Sequence, residues 1–297
     1  IDTLWAFGKR LYSGGIDTPF SKIKKAVEHR NLDEAKKEIK KIGDEIKIYG
    51  FDARLKPVCI GFTGYGNVSS GAQEIADLLP FEEITPEELL KLKERPSLSR
   101  NLLYKVVFRE EHLVERRSGE KAFDLSDYFS NPKDYRSVFE KYVEHLSVIV
   151  NCIYWNPDCP RFVTKAHLKK MFSREKNPAL KVIGDITCDI EGSMECTVKV
   201  TDSGDPVYVY DPVDDKATMG YGGRGVLVLA VDNLPCELPM DSSREFSASL
   251  LPFVPEIVKA DFSVDFKKLK LSREIRKALI LHRGDLTDDY KYLREFL

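Results

Sequence analysis

Two rhythms of apolar residues alternate along this chain of 297 residues. Leu4, Phe7 and Leu11 recur at helical spacing over 1–14, and Gly14-Gly15 ends that run. A charged helix is expected over about 33–48, where Asp33 and Glu34 stand four and three residues ahead of Lys37 on one face. Seven apolar runs of strand length follow, at 58–62, 81–85, 102–108, 147–154, 181–186, 207–210 and 225–231. Several are apolar at consecutive positions, which is how a parallel strand reads when helices cover both of its faces. The segment 109–146 is polar, charged and tyrosine-rich. It is expected to be an insertion with its own short helix at about 132–145 rather than core. From Ser242 the pattern is helical again, through Phe253, then over 273–281 and 288–297. The expected fold is α/β: a doubly wound, mostly parallel sheet at 49–240 between helices at 1–48 and 241–297.

The first strand runs into Gly64-Tyr65-Gly66-Asn67-Val68-Ser69-Ser70-Gly71, and Gly71-Ala72-Gln73-Glu74-Ile75-Ala76 then reads as a helix. That is the layout of a dinucleotide-binding turn. One glycine allows the sharp bend, a second lets the backbone approach a pyrophosphate, and the helix N-terminus turns free N–H groups towards the anion. Ser69 stands where a third glycine usually falls. An ordinary Gly/Ser turn before a surface helix would read the same way, so the motif alone leaves both uses open.

Three other strand ends carry candidate chemistry. Glu82-Glu83-Ile84-Thr85 ends the second run, where an NAD-preferring fold usually has an acid for the ribose 2′-hydroxyl. Uncharged Thr85 would not repel a 2′-phosphate and leans towards NADPH. Asn151-Cys152-Ile153-Tyr154-Trp155 offers aromatic rings that either shield a nicotinamide or pack at a domain edge. Asp185-Ile186-Thr187-Cys188-Asp189 and Val231-Asp232-Asn233-Leu234-Pro235 carry carboxylates suited to an ammonium group, or to capping turns.

Composition removes other classes. The formal net charge of −2 gives no basic field for nucleic acid, and no apolar run approaches the ~20 residues of a membrane helix. Six cysteines lack any Cys-x-x-Cys pair, and the five histidines show no ligand spacing. Reduced thiols in an intracellular compartment are expected, without a metal site. The chain opens at Ile1 inside an amphipathic pattern with no targeting segment, as a piece of a longer polypeptide would.

Taken in order, 62–74, Asn151 to Trp155, Asp185 to Asp189, and Val231 to Pro235 with Leu238-Pro239 closely resemble the lysine–ketoglutarate reductases. These are the saccharopine-forming half of bifunctional α-aminoadipic semialdehyde synthases. Thr18-Pro19-Phe20 and Asp289-Tyr290-Lys291-Tyr292-Leu293 are similar to that family too, so the resemblance covers nearly the whole chain. The wider saccharopine and alanine dehydrogenase superfamily has two Rossmann-like lobes with the active site between them. The resemblance implies lysine degradation by NADPH-dependent reductive condensation of L-lysine with 2-oxoglutarate, giving saccharopine. The ε-amine would add to the keto carbon, water would leave, and nicotinamide would reduce the imine.

Carried onto this chain, the resemblance implies pyrophosphate on Gly64, Gly66, Asn67 and Val68, with Thr85 beside the adenosine ribose. Tyr154 and Ile186 would flank the dinucleotide, and Val231, Asp232, Asn233 and Leu234 would lie near the nicotinamide. Thr187, Cys188 and Asp189 would face substrate. Val68 stands where fungal single-function relatives can carry a cysteine that pairs with the equivalent of Cys152. The family's acid–base lysine and histidine belong to a preceding lobe. The terminal helices are therefore expected to return to that lobe, and this piece alone to bind cofactor without appreciable turnover. A fused saccharopine dehydrogenase domain, a homo-oligomer and a mitochondrial or cytosolic location are further implications, with no nucleic-acid or membrane partner. The alternatives are another amino-acid dehydrogenase of the superfamily, or a non-catalytic nucleotide-binding domain.

Overall fold

The computed structural model describes residues 1–55, 57–119 and 122–297. All seven expected strands form, as β1 (Cys59–Thr63), β2 (Phe81–Glu83), β3 (Leu103–Phe108), and, after a ribbon of β4 (Val114–Arg116) and β5 (Tyr135–Ser137), β6 (Val148–Asn151), β7 (Val182–Asp185) and β8 (Val207–Asp211), followed by β9 (Lys216–Met219) and β10 (Val226–Leu229). One eight-stranded sheet runs in the order β2-β3-β1-β6-β7-β10-β8-β9. Its first six strands are parallel, while β8 and β9 are antiparallel additions at one edge. β9, which the sequence did not announce, is that edge and is largely exposed.

Consecutive apolar residues occur because both faces are covered. Along β1, Ile60 and Phe62 join one buried layer and Cys59 the other, with successive side chains pointing to opposite faces. The first layer comes from α1 (Asp2–Ser13), α2 (Leu32–Tyr49) and α3 (Asn67–Ala76). The second comes from α4 (Pro86–Lys91), α5 (Glu110–Leu113), α6 (Leu125–Ser130), α7 (Glu140–Val143) and α8 (Lys165–Arg174). Asn31 caps α2 by accepting from the Glu34 N–H, and Ala35, Ile39, Ile42 and Ile46 form its buried stripe. α1 lies over β7 and β10, so residues 1–48 cover one face of the sheet.

Two expectations need correction. Segment 109–146 is core rather than a peripheral insertion: Leu113, Val114, Tyr128, Tyr135, Phe139, Tyr142, Val143 and Leu146 are buried in the second layer. Its charges pair with one another instead, as Arg116 does with Asp127 and Asp134. The single helix expected at 132–145 is broken, because Tyr135–Ser137 pairs with β4 as a strand and leaves only α7 beyond it. α8 went unnoticed because only Leu168, Met171 and Phe172 of its ten residues face inward.

Contacts group Ile1–Leu238 as one unit and Pro239–Leu297 as a second. The second holds α9 (Pro239–Leu250), α10 (Val254–Lys259), α11 (Arg273–Ala278) and a hairpin of β11 (Leu281–His282) with β12 (Asp285–Leu286). Arg283 at φ 55° and Gly284 at φ 91° turn that hairpin, which stops the helix expected to reach 281. Asp288–Phe296 closes the chain as 3-10 turns. Among the described residues, no helix is long and apolar enough to cross a membrane.

Candidate functional site

The bend after β1 is shaped by two glycines for different reasons. Gly64 sits at φ +83°, a region closed to most side chains, and its N–H donates to the Phe108 carbonyl at 2.8 Å. Gly66, by contrast, has an ordinary φ of −75° as N-cap of α3. A Cβ there would meet nothing within 4 Å. Gly66 has no side chain with which to cap α3, which leaves the N–H groups of the first turn, from Asn67 on, without that acceptor. The helix starts at Asn67 rather than at Gly71. Ser69, at the third-glycine position, is fully buried and accepts from Gln73 Nε2 at 3.0 Å; its small side chain preserves the close packing a glycine would give.

Three buried polar side chains tie the carboxyl ends of β1, β6 and β7 together. Thr63 Oγ1 donates to Asn151 Oδ1 at 2.6 Å, and Asn151 Nδ2 donates to Asp185 Oδ1 at 2.7 Å and Ser193 Oγ at 2.8 Å. Asp185 also accepts from Thr197 Oγ1 and from the Cys188 N–H. Burial raises the Asp185 pKa against these donated bonds. The Cys188 backbone is held at φ 59°, an uncommon conformation for a non-glycine residue. Its thiol lies 3.0 Å from the Ala230 carbonyl, and burial pushes it up to about 12. Cys152 is likewise pushed up to about 12 by burial, so neither sulfur is a ready nucleophile.

A cleft of about 630 Å³ opens above these strand ends. It brings together Gly64, Gly66, Asn67 and Val68 on one side with Tyr154, Ile186, Thr187 and Asp189 on the other. Tyr154 is 79% exposed, whereas Trp155 is half-buried and donates from Nε1 to the Pro160 carbonyl. Thr187 Oγ1 donates to the Ile153 carbonyl at 2.7 Å, and desolvation raises the Asp189 pKa. Among the described residues the cleft lining holds no histidine and no lysine.

Other expected site residues stand outside the lining. Cys188 points to Ala230. Thr85 follows the edge strand and caps α4, accepting from the Glu88 N–H at 3.2 Å. Val231 is buried in a bridge with Thr201, Asp232 and Asn233 are exposed beyond it, and Leu234 lines an adjoining apolar cavity of about 350 Å³ that shares Val68 and Ile186 with the cleft. Glu110, which sequence reasoning passed over, does line the cleft: it is 8% exposed, and its Oε2 has no hydrogen-bond partner among the described residues. A signal for the network was present, since Thr63, Asn151 and Asp185 are each the polar residue that ends an apolar strand.

Residues 105–289 match the family model described as Alanine dehydrogenase/PNT, C-terminal domain. The chain belongs to this family. Membership fits the Rossmann-like, largely parallel sheet and implies a nicotinamide cofactor; the matched residues begin after the glycine bend. Its relatives include an alpha-aminoadipic semialdehyde synthase of Arabidopsis thaliana, 33% identical over 99% of this chain and 28% of that protein. The mitochondrial synthase of Bos taurus is 31% identical over 99% of this chain and 33% of its own length. A saccharopine dehydrogenase [NAD(+), L-lysine-forming] of Emericella nidulans is 32% identical over 38% of this chain and 28% of its own length. The chain thus spans about a third of the synthases it matches. Among solved structures, an L-alanine dehydrogenase is similar over 75% of this chain and 52% of its own, with 17% identity and a TM-score of 0.36.

Proposed function

We propose that this chain is the nucleotide-binding lobe of a saccharopine-forming lysine–ketoglutarate reductase, taking NADPH, L-lysine and 2-oxoglutarate in lysine degradation. The observation that carries the reading is Gly66. Its backbone needs no glycine, and among the described residues a Cβ there would meet nothing within 4 Å, which leaves room for a ligand to approach the backbone at the start of α3. An anion against the uncapped start of α3 fits that requirement. The alpha-aminoadipic semialdehyde synthase relatives, matched over 99% of the chain, support the reaction class. The bovine relative's mitochondrial name favours that compartment.

When bound, the reduced nicotinamide supplies a hydride to the substrate carbon. The chain's own share is positional. Gly64 makes the bend, and the N–H groups of Asn67 and Val68 would hold the pyrophosphate. Asn151 and Asp185 fix the strand ends on which Tyr154, Ile186 and Thr187 stand. Tyr154 and Trp155 would screen the reacting atoms from water, and Asp189 would receive an ammonium group of substrate. Among the described residues the lining has no histidine or lysine, which supports a reading in which proton transfer to the substrate is supplied by a preceding lobe, as in the resembled family.

Calorimetric titration tests the reading. NADPH should bind, and Gly66→Val should weaken it by about two orders of magnitude, the scale of several lost charge-assisted hydrogen bonds, with no change in Tm. Unchanged affinity would move the pyrophosphate elsewhere. With lysine, 2-oxoglutarate and NADPH supplied, this chain alone should give no turnover above background.

A further inference from the structure

We infer that Arg109 is the residue that reads the 2′ position of the dinucleotide, gripping the 2′-phosphate of NADPH. The inference rests on the dinucleotide reading of the cleft and adds a specificity residue to it.

The order of strands carries it. A dinucleotide centred on α3 straddles the point where the chain leaves β1 for either side of the sheet. Tyr154, Thr187 and Asp189 occupy the β6 and β7 side, so the adenosine half lies over the strand on the other side of β1. That strand is β3, not β2. β2 lies one place further out, roughly 10 Å from β1 at two strand spacings, and its last pair, Glu83 with Lys105, falls three residues short of the end of β3. Thr63 pairs with Phe108, so Arg109 stands level with Gly64, beside the bend.

Arg109 is also built for the task. Its guanidinium carbon lies 4.7 Å from the centre of the Tyr65 ring, between the two glycines, which orients a planar fork next to the pyrophosphate position. Among the described residues no carboxylate lies within ion-pair distance of it. The neighbouring Glu110 is the rival, since an acid at this place would take ribose hydroxyls and favour NADH. Glu110 is buried, however, and is turned to the Tyr65 phenol, whose pKa it raises. Glu110 lines the cleft itself whereas Arg109 stands exposed at its rim beside Tyr65, where its fork is free to reach a 2′-phosphate.

The test is calorimetric titration of this chain with NADPH, NADH, 2′,5′-ADP and 5′-AMP. The wild type should favour each 2′-phosphorylated ligand by about 10–100-fold, the range for charge-assisted hydrogen bonds. Arg109→Ala should abolish that preference, costing NADPH and 2′,5′-ADP at least about ten times more than NADH and 5′-AMP, and Arg109→Lys should restore part of it. Equal loss for both cofactors, or a preference that survives Arg109→Ala, would overturn the inference while leaving the cleft assignment standing. A wild-type preference for NADH that disappears in Glu110→Gln would hand the role to Glu110. Binding of neither cofactor, or binding untouched by Gly66→Val, would overturn the cleft assignment and the role of Arg109 together.

Discussion

Asn151 and Asp185 show how a polar pair can be both buried and necessary. Asn151 accepts from Thr63 and donates to Asp185 and Ser193, so one amide spans the ends of β1, β6 and β7. Asp185 only accepts, from Asn151, Thr197 and the Cys188 N–H. Burial raises its pKa, so the ionised form is disfavoured by desolvation and held by these three donors. Asp185→Asn would remove the charge but set an NH₂ group against donors. We expect it to lower stability by about 2–4 kcal/mol, measured by urea unfolding. The variant should also loosen the left-handed turn at Cys188, seen as faster amide exchange at 187–189. A stability within 0.5 kcal/mol of wild type, the ordinary scatter of surface changes, would show the network to be dispensable.

At the scale of elements, the contact of α1 with β7 decides how the first layer sits. A Cβ on Gly184 would fall 2.2 Å from Thr3 Oγ1 and 2.9 Å from Thr3 Cγ2, so the helix approaches the strand as closely as it does only because Gly184 has no side chain. Gly184→Ala should cost about 1–3 kcal/mol by overpacking. Thr3→Ala removes both offending atoms, so the double variant should recover much of that loss. Strict additivity in the double-mutant cycle would mean that the two sites do not meet. The excursion to β2 and back is also decided at this scale. α3 joins the layer of α1 and α2 whereas α4 joins the other, because right-handed crossovers in opposite directions along a sheet use opposite faces.

At the scale of the molecule, folding sets Arg10 of α1 near Lys181, which immediately precedes β7. Arg10 donates to the carbonyls of Tyr221, Gly223 and Gly225, and Lys181 donates to Asn177 and the Pro178 carbonyl. Burial, with a smaller contribution from Arg10 and against Glu175, lowers the Lys181 pKa to about 8. Below that value both folded and unfolded chains hold the proton. Between about 8 and the ordinary lysine value of about 10.4, the unfolded chain binds a proton that the folded one has released. Stability contributed by this group therefore rises with pH across that window. Cys152 and Cys188, whose thiols burial pushes up to about 12, act in the opposite sense in both proteins. Urea unfolding at pH 7 and pH 9.5 should therefore show Lys181→Met changing less favourably with pH than wild type. Equal changes in the two proteins would place the effect on other groups.

The sequence by itself determined the strands, the covered sheet and the glycine bend, because each rests on local rules: runs of apolar residues, a turn that needs positive φ, and an uncapped helix start. It also carried the family resemblance, since the ordered motifs are local strings. It could not reveal that 109–146 is core, because those inward tyrosines and phenylalanines follow no helical or strand period and are buried only by a surface distant in sequence. Nor could it show which strand neighbours β1. Strand order depends on which face each crossover takes, and only the fold sets β3, rather than β2, beside β1. The polar residues that end the apolar strands are written in the chain, whereas which strand stands beside β1 is fixed by packing alone.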